Sequence, residues 1–338
     1  MKNHPLEICG VKVQPGERLT LALPIPEVYT CAPLHIPMHV IHGKKEGPRL
    51  LICATLYGDE ANGIDIIHRL LESPVLKALA GTLICIPVMN VYGLINHTRL
   101  LPDGHDLAES FPGSEKGSFA SRLAHLFTSE IIDLMTHCVN IRSGPKHIYK
   151  FPQIYFHPDD HTASHLAKHF GAPIIRPSNE KTGFFYSEQG KPKCPTIIYE
   201  GGEAHRSDDY SIKIGVKGVI RTLKELQMIK LKKKPKENRF IEAKKTLWLH
   251  APGSGILQIK KTVGTNINKG DALAVVTDPF GSSRAYELFA PVKGMITSMT
   301  TYPHVFEGQQ LIEITSSTNP HEVLIEFPSL DPQIEDNL

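Results

Sequence analysis

The sequence lacks any apolar run long enough to span a bilayer, and its start, Met1-Lys2-Asn3-His4-Pro5-Leu6-Glu7, has none of the apolar core of a secretory signal. A membrane partner and export are therefore not expected. An excess of charge is missing too: 37 Lys and Arg against 35 Asp and Glu leave a net +2 over 338 residues, too little for wholesale nucleic-acid binding. Cysteine is sparse. Its six copies, Cys9, Cys31, Cys53, Cys85, Cys138 and Cys194, show no C-x-x-C spacing, and Cys53 and Cys85 sit in apolar, strand-like runs. They read as reduced core residues of a cytoplasmic protein and not as a disulfide framework. A serine-hydrolase elbow of the Gly-x-Ser-x-Gly kind is absent as well, and Ser143 has no matched base near it in sequence.

What remains is an ordinary globular composition, 41% hydrophobic and 21% charged, with room for two domains. Strand-like runs at 50–56, 82–88, 152–156 and 196–199 alternate with helical spacing at Ile64, Ile67, Leu70 and Leu71 and again at Phe119, Leu123 and Leu126. This alternation predicts an α/β fold with a mostly parallel or mixed sheet whose functional groups gather at strand ends. Residues 1–43 read as a β-rich N-terminal extension and 44–229 as the α/β domain. The basic run Lys230 to Lys236 opens a linker over 230–245; with no interleaved aromatics it is a solvated segment and not a nucleic-acid or lipid patch. Beyond it, Ala251-Pro252-Gly253-Ser254-Gly255 recurs as Ala290-Pro291-Val292-Lys293-Gly294, and each copy is followed by a glycine turn, Asn268-Lys269-Gly270 or Phe306-Glu307-Gly308. The two-copy repeat predicts a small β-barrel sandwich over 246–338. Lys293 lies in a strand-entry turn, so no carried cofactor is expected there.

The most informative stretch is Leu56-Tyr57-Gly58-Asp59-Glu60, between an apolar run and a helical pattern. An H-x-x-E motif in that context delivers an imidazole and a carboxylate from a strand end, ready to bind Zn²⁺ with a second histidine and a water. Glu60 stands where the carboxylate would be. Tyr57 stands where the histidine would be, and a neutral phenol with a pKa near ~10 must lose a proton before it coordinates strongly.

Asn90-Val91-Tyr92-Gly93, the segment from Arg99 to Gly113 and Pro152-Gln153-Ile154 follow in order. With them the chain resembles the succinylglutamate desuccinylase/aspartoacylase family from about Gly43 to Glu313. The resemblance implies a zinc-carboxypeptidase-like mixed sheet flanked by helices, and a zinc-bound water that hydrolyses the amide of an N-acyl amino acid. Carried over residue by residue, it puts metal ligands at Tyr57, Glu60 and Arg142, the last because Asn140-Ile141-Arg142-Ser143-Gly144 matches a D-L-H-T-G segment. Only Glu60 keeps a ligand's chemistry. The catalytic glutamate, which activates the zinc-bound water, is implied at Glu200. Substrate binding is implied at Arg99 and at Ala108 and Glu109, which stand where the family has the Asn and Arg of D-L-N-R. The replaced letters fall on chemistry positions, while Gly58, Pro102, Phe111-Pro112-Gly113 and Gly144 still fit.

No bound zinc is therefore expected, although the resembling family uses it. Arg142 is expected to set its guanidinium in the metal's place and pair with Glu60, bidentately in the best geometry, with Tyr57 hydrogen-bonded to the same carboxylate. The exchange of a cation for Glu109 is expected to make the cleft reject acidic N-acyl amino acids and tolerate neutral or basic ones. Three functions stay open: a non-catalytic relative that binds a small amide, an amino-acid-like ligand or a partner; an active amide hydrolase with a different metal set; and an assembly subunit, homo-oligomers included. One local pattern competes. His157, His161, His165 and His169 recur every four residues, and i, i+4 imidazoles can chelate a divalent ion. The blander expectation is a solvated helix edge, with Leu166, Ala167 and Phe170 forming the buried stripe and no carboxylate or cysteine at a complementing position.

Overall fold

The computed structural model describes residues 2–26, 34–179, 194–231, 240–281 and 285–316. Cys31 and Lys232 to Lys236 of the basic run lie outside the described residues. Strands β1 (Leu6–Ile8) and β2 (Val11–Val13) pair with each other, whereas β3 (Arg18–Pro24) and β4 (His35–His42) form the outer edge of a 13-stranded sheet. The apolar run ending at Leu56 supplies β5 (Lys45–Ala54), and α1 (Asn62–Glu72) follows. Then come β6 (Ala80–Ile86), a short α2 (Val91–Asn96), α3 (Phe119–Glu130), β7 (His137–Gly144), β8 (Ile148–Phe156), α4 (His161–Phe170), β9 (Ile174–Pro177), β10 (Thr196–Glu203) and α5 (Asp209–Glu225). In the middle of the sheet β6, β5, β7 and β10 run parallel, with β4 and β8 antiparallel on either side. The fold is thus α/β with a mixed sheet flanked by helices, as the alternation of patterns predicts.

Burial explains why β5 reads as an unbroken apolar run. Leu50, Ile52 and Ala54 face the core under α1, α4 and α5, while Leu51 and Cys53 face a second core under α3. A strand covered on both faces has no polar side to show, and each fully buried Leu or Ile contributes about 1.5–3 kcal/mol. In α1, Ile66, Ile67, Leu70 and Leu71 form the buried stripe. Helices α3, α4 and α5 begin on Ser118, Asp160 and Asp208, whose side-chain oxygens accept the N–H groups of Ser121, Ala163 and Ser211. Cys53, Cys85, Cys138 and Cys194 are buried free thiols, and among the described residues no helix is long and apolar enough to cross a membrane.

The C-terminal part starts with β11 (Ile241–Glu242), which pairs with β9, and β12 (Lys245–His250). It continues through β13 (Gly255–Ile259), β14 (Asn266–Ile267), β15 (Ala272–Thr277), β16 (Tyr286–Phe289), β17 (Gly294–Thr300), β18 (His304–Val305) and β19 (Gln310–Ser316). β16, β15, β13 and β18 make a separate four-stranded sheet, whereas β12, β19 and β17 extend the large one, with β17 bonded to β8. The repeat has a physical basis in two reciprocal hydrogen bonds. The Gly308 N–H donates to Ala251 O at 2.9 Å, and the Gly270 N–H donates to Ala290 O at 2.8 Å, so each copy's turn glycine caps an A-P-x-x-G alanine.

Candidate functional site

The chain leaves β5 through an unusual residue. Thr55 is held at φ +52°, a left-handed conformation that costs a β-branched side chain on the order of 1–3 kcal/mol. Its hydroxyl donates to the Glu60 carbonyl at 3.0 Å and its carbonyl accepts the Asn90 N–H at 3.0 Å, which closes the loop into a fixed bend. Gly58 sits where this bend meets α2. A Cβ there would lie 1.8 Å from the Gly93 carbonyl carbon, so only glycine allows the approach.

The bend aims Tyr57 and Glu60 at the end of β7. Glu60 is 1% exposed, and its two oxygens accept the backbone N–H groups of Tyr57 at 3.2 Å and Ser143 at 3.3 Å. Arg142 does face it, with Nε 3.9 Å from Glu60 Oε1, but this is one long contact and not the bidentate pair expected from the sequence. Each oxygen could accept a further donor, but the guanidinium is turned instead toward the face of the Tyr57 ring. The guanidinium carbons of both Arg99 and Arg142 lie over the Tyr57 ring, at 3.6 and 4.8 Å from its centroid. Burial pushes the Tyr57 phenol further up, and the pull of the two arginines only partly offsets it. Burial opposes the Arg142 charge as well, yet Glu60, Tyr57 and Glu200 outweigh it and hold its pKa above the ordinary value.

Glu60 itself is pushed up to about 7, first by burial, with Arg142 and the Tyr57 N–H pulling back. A carboxyl raised in the fold from its ordinary 4.5 favours the folded state most below pH 4.5, and that contribution is lost as pH rises through about 7. The size is on the order of 3 kcal/mol. Urea unfolding of the parent and of Glu60→Gln is expected to agree near pH 4 and to favour the variant near pH 8; the same difference at both pH values would disprove the shift.

The opposite wall comes from β8 and β10. Glu200, half-buried, accepts the Tyr155 hydroxyl at 2.8 Å and Gln153 Nε2 at 3.3 Å. Between the walls lies a cleft of about 280 Å³ lined by Tyr57, Glu60, Arg99, Arg142, Ser143, Pro145, Lys150, Tyr155, Ser178, Ile198 and Glu200. Arg99 is 40% exposed and also approaches Asp59 Oδ1 at 3.9 Å. The structure therefore brings Tyr57, Glu60, Arg99, Arg142 and Glu200 together. It does not bring Ala108, Glu109 or Asn140 into the cleft lining: Ala108 and Asn140 are buried, and Glu109 is exposed on a single 3-10 turn, Ala108–Ser110. The lining of this cleft holds three cations, Arg99, Arg142 and Lys150, against the carboxylates of Glu60 and Glu200, and Glu109 is not part of it.

Sequence reasoning missed Tyr155 and Lys150. Tyr155 carried a signal, since strand period two puts it on the same face as Gln153. Lys150 carried none, because its approach depends on β8 pairing with β10, Gly202 opposite Lys150. The histidines divide: His161, His165 and His169 are exposed on α4, as the blander reading expects. The missing carboxylate, however, exists. Glu225 at the end of α5 receives His165 Nε2 at 2.9 Å.

The sequence matches the family model described as the succinylglutamate desuccinylase/aspartoacylase catalytic domain over residues 46–226, more than half the chain. The chain belongs to this family. A member of known activity, the N-alpha-acetyl-L-2,4-diaminobutyric acid deacetylase of Halomonas elongata, is 25% identical over 257 residues, covering 72% of this chain and 74% of that enzyme. Among solved structures, a succinylglutamate desuccinylase/aspartoacylase of Rhodobacter sphaeroides superposes with a TM-score of 0.77 at 21% identity, covering 89% of this chain and 96% of that one. The ectoine utilisation protein EutE (DoeB) of Ruegeria pomeroyi, solved with product bound, gives 0.78 at 21% identity, covering 94% of this chain and all of that one, 100%. These two likenesses are of fold. The desuccinylase/aspartoacylase matched region contains Tyr57, Glu60, Arg99, Arg142 and Glu200, so all five lie within the family's catalytic domain.

Proposed function

We propose that this family member binds a small N-acyl amino acid or related amide bearing a carboxylate, in a cleft where a protein cation takes the place of the zinc. The single observation that carries the reading is Arg142, 11% exposed at the side chain, facing Glu60 at 3.9 Å and lying over the Tyr57 ring. The residues do not fit a zinc ion. Of the three ligand positions that the family resemblance gives, one holds a guanidinium that cannot donate a lone pair and one a phenol whose burial keeps its proton on. No hydrolytic step is therefore routed through a metal, and Glu200 has no metal-bound water to activate.

The cations that remain decide the ligand's charge. Arg99 and Lys150 line the cleft beside Arg142, whose charge Glu60, Tyr57 and Glu200 support. A ligand carboxylate meeting Arg99 gains a charge-assisted hydrogen bond in a site walled by protein, worth about 1.5–3 kcal/mol. Titration calorimetry with N-acetylaspartate, N-succinylglutamate and N-alpha-acetyl-2,4-diaminobutyrate tests this. The two acidic compounds are expected to bind more tightly, to weaken about tenfold in Arg99→Ala, and to remain unhydrolysed when followed by NMR. Free amino acid released by protein carrying one tightly held zinc per chain would instead support an active hydrolase with another metal set.

A further inference from the structure

Away from the cleft, helices α4 and α5 pack side by side, with Leu166, Ala167 and Phe170 of one buried in the same core as Val219 and Leu223 of the other. On the solvent side of that contact His165 Nε2 lies 2.9 Å from Glu225 Oε1, and the rings of His165 and His169 lie 4.2 Å apart between centroids. His169 Nδ1 is 2.8 Å from the His165 carbonyl oxygen. A carbonyl only accepts, so Nδ1 carries the hydrogen and Nε2 is the unprotonated nitrogen of the neutral ring, the tautomer a metal-ligating histidine has when a backbone carbonyl orients it. One ligand atom from each of His165, His169 and Glu225 falls within a common 4.8 Å.

We propose that His165, His169 and Glu225 form a surface site for one divalent transition-metal ion with a preference for imidazole, of the Zn²⁺ class, that ties the last turn of α5 to α4. Two imidazole nitrogens and a carboxylate oxygen are a ligand set of that class, and the open positions would be filled by water. The distances fit with small motions. Tetrahedral bonds of ~2.0–2.1 Å put ligand atoms ~3.3 Å apart. The 2.9 Å pair must open slightly and the widest separation close by on the order of 1.5 Å. Rotations of exposed side chains suffice for both, since His165 is 54% and Glu225 24% exposed. His161, a turn earlier on α4, is not in the group.

The test is calorimetric titration of the metal-free full chain with Zn²⁺ at pH 7.5, read together with the thermal midpoint. One ion per chain is expected, with a raised midpoint; His169→Ala and Glu225→Gln should each weaken binding at least about tenfold, while His161→Ala and Glu60→Gln leave it unchanged. All four variants are expected to keep the parent's circular dichroism, His161 and His169 because they are exposed and Glu60→Gln because it is isosteric. Equal binding by the parent and by His169→Ala, loss of binding in Glu60→Gln, or no binding below millimolar Zn²⁺ would each overturn the site.

Discussion

Arg176→Met is expected to destabilise the fold by about 3–5 kcal/mol, seen as a lower urea midpoint at unchanged slope. Arg176 meets Glu313 through two bonds, Nη1 to Oε1 at 3.2 Å and Nη2 to Oε2 at 3.3 Å, and also donates to the hydroxyls of Thr246 at 3.0 Å and Thr315 at 3.2 Å. Glu313 is 3% exposed, and Thr297 and Ser298 donate to it as well. Burial pushes the Glu313 carboxyl up, but Arg176, Lys150 and the two hydroxyls outweigh it and hold it below the ordinary range. Taking away the guanidinium leaves that anion buried without its counter-charge, which costs more than the pair itself contributes. The double change Arg176→Met with Glu313→Met removes both charges and should recover most of the loss. If the double variant were as unstable as the single one, the cost would lie in packing. Because the Glu313 carboxyl is depressed, its contribution is present above its ordinary 4.5 and lost as pH falls below it, opposite in sign to that of Glu60.

The second large effect concerns metal. Tyr57→His combined with Arg142→His is expected to take up one zinc per chain, measured by metal analysis after exhaustive dialysis, while the parent's cleft takes up none. In the parent a divalent ion bound to Glu60 would sit beside the Arg142 guanidinium. At ~4–5 Å and an effective dielectric of ~20 that repulsion is roughly 6–8 kcal/mol, about half of the ~10–16 kcal/mol of a full structural zinc site, and the cleft lacks that site's two imidazoles. The double variant removes the repulsion and supplies two imidazoles facing a carboxylate already fixed by two backbone N–H groups. Either single variant should fail, because one leaves the cation and the other leaves the phenol. Running the assay in a His169→Ala background separates cleft zinc from ions held at the α4 and α5 surface.

Much of this was legible in the sequence, and the reason differs from residue to residue. The apolar run ending at Leu56 had to be a doubly covered strand, and Gly58 had to be glycine beside Gly93, so the scaffold around Tyr57 and Glu60 could be read by pattern. The repeat at Ala251 and Ala290 was equally visible, since each copy caps the other. The exposure of Glu109 was not legible, because a position in a motif does not say which way a short turn faces. Arg176 and Glu313, 137 positions apart, gave no local signal at all. Their meeting depends on Arg176 standing opposite Tyr155 in the β8 and β9 register and on β17 and β19 reaching the same edge of the sheet.

The bonding of β17 to β8, Ser298 opposite Lys150 and Thr300 opposite Ile148, makes the two halves of the chain one hydrogen-bonded surface. A shortened chain ending in the basic segment would leave Ile148 to Lys150 with an open row of backbone donors and acceptors beside the cleft. Such an edge recruits strands from neighbouring molecules, so the shortened protein should aggregate where the full chain does not.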